Sequence, residues 1–304
     1  MSSDHTGLRH NALIYESDDE YVARTVAFLR AGLEGGEGGV VANTRSGLAV
    51  IREALGSDAA RVTFADVGAA YTRPARTLAA YHQVYVEELK KAASVRVVAD
   101  VQFGPDPAEW NIWMGYEAAL TRCFAHLPTW VMCTYSANGL PDPILEAVWR
   151  THTDVLAGDG WTESRQFENP TELLREVTRE PEPLTELRSI PCGRDAEAFR
   201  ERLTHELGAE KVPEAKALDM LIAGTEIFAN AERHGGGVEA VRVGRQNGRF
   251  VCEVVDRGGG FDDPAAGYLA PREGVGTGLW IARQLTWELE FFGSPQGFTA
   301  RTWL

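Results

Sequence analysis

A chain of 304 residues with 44% hydrophobic content is long enough to bury two separate cores. Its formal net charge of −14 and pI near 5.0 argue against direct nucleic-acid binding, an affinity that comes largely from Lys and Arg on phosphates. No run approaches the roughly eighteen apolar residues of a membrane span, and the opening MSSDHTGLRH lacks a signal-peptide core, so a cytoplasmic protein without membrane contact is expected.

Short apolar runs at 12–15, 39–43, 61–65, 95–100 and 129–133 read as strands, and the stretches 20–33 and 77–91 have helical periodicity. Strand and helix alternating at this spacing predict an α/β fold, here a mostly parallel layer domain. Gly35, Gly36, Gly38 and Gly39 precede a strand instead of following one, which reads as a tight helix-to-strand turn. With no Gly-Lys-Ser or Gly-Lys-Thr in the chain, the P-loop mechanism lacks its lysine. No internal repeat stands out. Cys123, Cys133, Cys192 and Cys252 have neither close pairing nor zinc-type spacing, so buried thiols in a reducing compartment are expected, with redox sensing by Cys123 and Cys133 left open.

Residues 168–183 are charged and proline-bearing, as in a linker or the end of a connecting helix. The expected division is a first domain over 1–169, a linker over 170–183 and a second domain over 184–304. Residues 184–190 read as the opening strand of that second domain, and Asp195 as the N-cap of a helix over 196–207.

Residues 213–233 then carry an apolar rhythm of helical period, which puts Glu226 and Asn230 one turn apart on one face. An amide oxygen at Asn230 could ligate a hard Mg²⁺ that is otherwise held by phosphates and water. Glu226 stands one turn away, where a general base would act. The alternating segment 249–256 reads as a strand ending at Asp256, a carboxylate suited to accept from a base's exocyclic amine. Gly258 and Gly260 follow and would let backbone approach a ligand with positive φ. Gly274, Gly276 and Gly278 lead through Leu279 into a further helical run, so that backbone N–H groups at its start could hold an anion. Singly, Asn230 could be a satisfied polar residue, Asp256 a strand cap and the last glycines a plain turn.

Taken in order, Glu226-x-x-x-Asn230-Ala231-x-x-His234-Gly235, Asp256-x-Gly258-x-Gly260-Phe261 and Gly274-x-Gly276-x-Gly278-Leu279 resemble the N box and the two glycine boxes of the Bergerat (GHKL) ATPases. The likeness is greatest to anti-sigma-factor serine kinases of the RsbW type and runs over 184–304. It implies an α/β sandwich that binds ATP with Mg²⁺, sequesters a sigma factor and phosphorylates a STAS-type anti-anti-sigma protein, with dimerisation through this domain. Under it Glu226 is the base, Asn230 the Mg²⁺ ligand and Asp256 the adenine reader; Gly258 and Gly260 border the base, and Gly274, Gly276, Gly278 and Leu279 surround the phosphates. Three alternatives stay open: an ATP-gated binding module without phosphotransfer, an ATPase driving a conformational cycle, and a sensor histidine kinase. For the last, Thr204-His205-Glu206-Leu207 resembles a phosphoacceptor box, but about twenty residues before Glu226 are too few for the dimerisation hairpin of that family.

The first 165 or so residues resemble the MEDS sensory domain, a RecA-like module without a working P-loop. The resemblance rests on His10 to Tyr15, on Trp113-Met-Gly-Tyr116-Glu117 with Phe124 and Pro128, and on Cys133-Thr-Tyr135 leading to His152. It implies sensing of a small molecule. His10, Tyr116, Glu117, Tyr135 and His152 could line a polar pocket at the strand ends; the plainer reading makes Trp113, Tyr116 and Tyr135 core aromatics with satisfied polar tips. A metal site from His10 and His152 has no local motif behind it.

Overall fold

A computed structural model of the chain describes residues 6–67, 73–104, 107–178, 184, 186–191, 193–271, 276–294 and 297–304. The chain divides into two compact units, 1–72 with 77–173 and 174–304 with the short stretch 73–76, the main break lying at Leu173/Leu174. That division falls inside a helix, α6 (Pro170–Thr178), in the segment where a linker was expected; residues 179–183 of that segment lie outside the described residues.

The first unit runs β1 (Arg9–Tyr15), α1 (Asp18–Glu34), β2 (Gly38–Asn43), α2 (Arg45–Leu55), β3 (Val62–Asp66), α3 (Pro74–Leu89), β4 (Val95–Asp100), α4 (Pro107–Phe124), β5 (Thr129–Ser136), α5 (Asp142–Thr151), β6 (Asp154–Ala157) and β7 (Gly160–Glu163). The sheet order is β3-β2-β4-β5-β1-β6-β7, parallel throughout except for β7 against β6. Both faces are covered, which is why the strands read as continuous apolar runs. Leu13, Val41, Val98 and Met132 face α1 and α2 and join Leu29, Ile51 and Leu55 in one core. The alternate residues, among them His10, Cys133 and Tyr135, face α4. Ser17 caps α1 through its side chain, followed by Asp18, Asp19 and Glu20 in the first turn, which suits the positive end of the helix. The glycines at 35–39 do form a helix-to-strand turn, with Gly36 at φ +80°. The short hairpin β6–β7 went unread in the sequence.

The second unit runs β8 (Arg188–Ser189), α7 (Ala196–Ala209), α8 (Glu214–His234), β9 (Val238–Gln246), β10 (Arg249–Asp256), α9 (Thr277–Leu285), β11 (Glu288–Ser294) and β12 (Gly297–Trp303). Its strands form a wholly antiparallel sheet in the order β11-β12-β10-β9-β8. Phe199, Leu203 and Leu207 of α7, and Met220, Ile227 and Phe228 of α8, pack on Val241, Phe250, Cys252 and Val254 from the sheet. Phe199 and Phe228 stack with centroids 4.5 Å apart. Asp195 caps α7, accepting from the N–H groups of Glu197 and Ala198. The opening strand is shorter than the expected 184–190: Ile190 N–H still reaches the Val241 carbonyl, but among the described residues the ladder with β9 covers Arg188 and Ser189. Both are exposed at the sheet edge, and Arg188 is drawn instead to Glu206 of α7 and to Glu210, the C-cap of that helix. Cys133 and Cys252 are buried thiols; Cys192 lies outside the described residues. No helix among the described residues is long and apolar enough to cross a membrane.

Candidate functional site

Helix α8 buries Ala223, Gly224, Ile227, Phe228 and Ala231. Glu226 and Asn230 lie on its other side, both half-buried. The first turn of α9 lies against that side. A Cβ at Gly278 would come within 2.6 Å of Glu226 Oε2 and 3.5 Å of Asn230 Nδ2. A side chain there would have to displace the Glu226 carboxylate, so the carboxylate, the amide and the start of α9 form one surface. Gly276 precedes α9 in the left-handed conformation, φ +82°, which favours glycine. Asn230 Oδ1 accepts from Arg233 at 3.4 Å. Leu279 is half-buried in the first turn of α9, and its carbonyl leaves no room for a Cβ at Gly267, 2.7 Å away. Gly274 lies outside the described residues.

Asp256 closes β10, largely buried. Its Oδ1 accepts from Gly258 N–H at 2.8 Å, and burial raises its carboxyl above the ordinary carboxylate range. Three glycines shape this end. A Cβ at Gly235 would meet Asp256 Oδ2 at 2.2 Å; one at Gly297, itself at φ +137°, would meet the Asp256 carbonyl at 1.7 Å; and one at Gly260, at φ +73°, would strike the Phe298 ring at 2.2 Å. Gly258 packs against Gly235 as well. His234 ends α8 on the exposed side, with Gly235 as its C-cap. Sequence reading missed Gly297 and Arg283. Arg283 is buried; it donates to the carbonyls of Ala266 at 2.7 Å and Leu289 at 3.0 Å and lies 4.2 Å from the centre of the Tyr268 ring. It ties the segment after Phe261 to α9 and β11, and no local pattern in the sequence marks it.

His205 lies on the exposed side of α7, with 76% of its side chain open and its ring beside Glu206. The opposite side of the same helix is core.

In the first unit the residues expected to share a pocket divide. His10, Glu117, Tyr135 and His152 come together, and Cys133, unread as a partner, joins them. His10 Nε2 lies 3.2 Å from Glu117 Oε2 and 3.3 Å from Cys133 Sγ. Tyr135 donates to Glu117 Oε1 at 3.3 Å, and the His10 and His152 rings are 4.2 Å apart. Tyr116 is buried with its ring edge-on to Trp113. The cluster also differs in place from the expectation of a pocket at the strand ends: it is enclosed between the sheet and α4. Alternation puts His10, Cys133 and Tyr135 on the α4 side, where Glu117 meets them. Burial pushes both imidazoles down to about 3, so both are neutral near pH 7; it also moves the Glu117 carboxyl up and the Cys133 thiol well up.

The second unit is an antiparallel sheet with helices packed on it, with glycines close to a carboxylate, an amide and a strand-end aspartate; the first is a mostly parallel α/β layer domain. Residues 193–302 match the family model of the histidine kinase-like ATPase domain, and residues 9–153 match that of MEDS, the methanogen/methylotroph, DcmR sensory domain. The chain therefore joins an N-terminal MEDS domain to a C-terminal histidine kinase-like ATPase domain. No curated protein matches it.

Proposed function

We propose that the second domain binds Mg-ATP and transfers its γ-phosphoryl group to a serine or threonine of an anti-anti-sigma protein of the STAS type, and that it also captures a sigma factor. The observation that carries this reading is the seat of Gly278 against Glu226 and Asn230. A pure nucleotide binder has no need of a carboxylate there. In this reading Asp256 selects the base, Asn230 holds the Mg²⁺, and Glu226 takes the acceptor's proton. The glycines at 276 and 278 let backbone close on the phosphates. Magnesium supplies charge neutralisation on the transferring group, so the protein's part is mostly positioning. The first domain modulates this activity by binding a small molecule, and the protein acts in the cytoplasm, as a homodimer through the ATPase domain.

The test is transfer of labelled γ-phosphate from Mg-ATP to soluble proteins of the native cell. One serine- or threonine-labelled acceptor is expected, with Glu226→Gln lowering the rate about 10²- to 10⁴-fold and Asn230→Ala abolishing Mg-dependent nucleotide binding. Tight ATP binding with no labelled acceptor would replace this reading with a nucleotide-gated binding module, and label on His205 would replace it with a histidine kinase.

A further inference from the structure

We infer that the MEDS domain holds a zinc ion on His10 Nε2, Glu117 Oε2, Cys133 Sγ and His152 Nε2. These four ligand atoms all lie within 4.8 Å of one another, and every residue is buried. Zinc bonds of about 2.0–2.1 Å to nitrogen and oxygen and about 2.3 Å to sulfur set tetrahedral edges of roughly 3.3–3.6 Å for one sulfur and three lighter ligands. Four of the six separations are 3.2 Å (His10 to Glu117), 3.3 Å (His10 to Cys133), 3.8 Å (Cys133 to Glu117) and 3.9 Å (His152 to Glu117), and the two from His152 to His10 and Cys133 lie within 4.8 Å. Small side-chain shifts would bring the cluster to the dimensions of a zinc tetrahedron.

The protons point the same way. His152 Nδ1 lies 3.0 Å from the Val148 carbonyl, which can only accept, so Nδ1 carries the hydrogen and Nε2 is a bare lone pair. His10 Nδ1 lies 2.8 Å from Thr121 Oγ1, whose own hydrogen goes to the Glu117 carbonyl. The His10 hydrogen is therefore also on Nδ1, and its Nε2 lone pair also faces the cluster. Outer partners that fix the far nitrogen of an imidazole are the usual support of a metal-bound histidine. Among the described residues His152 Nε2 makes no hydrogen bond although it is fully buried, an expensive arrangement unless something completes it. With Cys133 bound as thiolate and Glu117 as carboxylate, the zinc dication meets two anions and two neutral imidazoles. The enclosed site then carries no net charge. Thiolate with imidazole favours zinc over magnesium or calcium, and four protein ligands leave no open position, as in structural sites.

The full-length chain, produced with zinc in the medium and dialysed against metal-free buffer, is expected to retain about one zinc per chain by mass spectrometry of the metal. Cys133→Ser and His152→Gln should lose it, while Asn230→Ala, in the other domain, should not. Cobalt added to the metal-free chain should give the intense visible bands of tetrahedral coordination and a near-ultraviolet thiolate band that is missing in Cys133→Ser. The wild-type cobalt spectrum decides even if a variant fails to fold. A dialysed chain with intact circular dichroism that holds no zinc and gives only the pale spectrum of hydrated cobalt would overturn the assignment. So would full zinc retention in both ligand variants.

Discussion

At Gly278 a single methyl group separates two outcomes. Alanine normally favours a helix by about 0.8–1 kcal/mol over glycine, yet here its Cβ would lie 2.6 Å from Glu226 Oε2. Gly278→Ala is expected to leave the domain folded and to weaken Mg-ATP binding at least about tenfold, roughly 1.4 kcal/mol, as titration calorimetry would show. An unchanged affinity would mean that α9 does not close on this surface. Asp100, at the end of β4, shows a different kind of tension. Burial raises its carboxyl to about 6, above the roughly 3.9 of an unfolded chain. The unfolded chain ionises first, so stability that is full below about pH 4 is lost as pH rises through 6, on the order of 3 kcal/mol by pH 7. Asp100→Asn should therefore raise the melting temperature of the first domain near pH 7 and change it little near pH 4; an equal shift at both would count against this cause.

Helix α8 serves packing on one side and the site on the other, so core and function can be separated along it. Phe228→Ala removes the ring stacked on Phe199 and should cost about 3–5 kcal/mol in denaturant unfolding, whereas Asn230→Ala should cost little. Elements of this kind were legible because their period is local: residues 213–233 repeat every three to four positions, 249–256 lie in one run, and Asp195 caps its own helix. The second glycine box was legible as a motif, and the contact of Gly278 with Glu226 was not, since it depends on how α9 meets α8. The strand expected over 184–190 overran because charged residues on a sheet edge carry no burial pattern to end it. The cluster of His10, Glu117, Cys133 and His152 was half-read. Its members come from β1, α4, β5 and the end of α5, at spacings no local motif encodes, and Cys133 could be joined to them only through the register that sets Ala12 beside Cys133.

The two domains have separate cores, so the whole chain should unfold in two steps. Mg-ATP at a hundred times its dissociation constant should raise one step by about 2.7 kcal/mol and leave the other in place; a chelator should lower the other. Coincident movement of both steps by ATP would show that the domains unfold as one. The position of β1 carries a further consequence, for the order in which the protein is made. It is made before both its partners, and among the described residues it pairs only with β5 and β6, between which it lies. Its partners follow roughly a hundred residues later, which at about 5–20 residues per second leaves Ala12, Leu13 and Ile14 waiting for some 5–20 seconds. During synthesis this apolar stretch stays unpaired until β5 and β6 follow, and a pause in translation between β1 and β5 would lengthen that exposure.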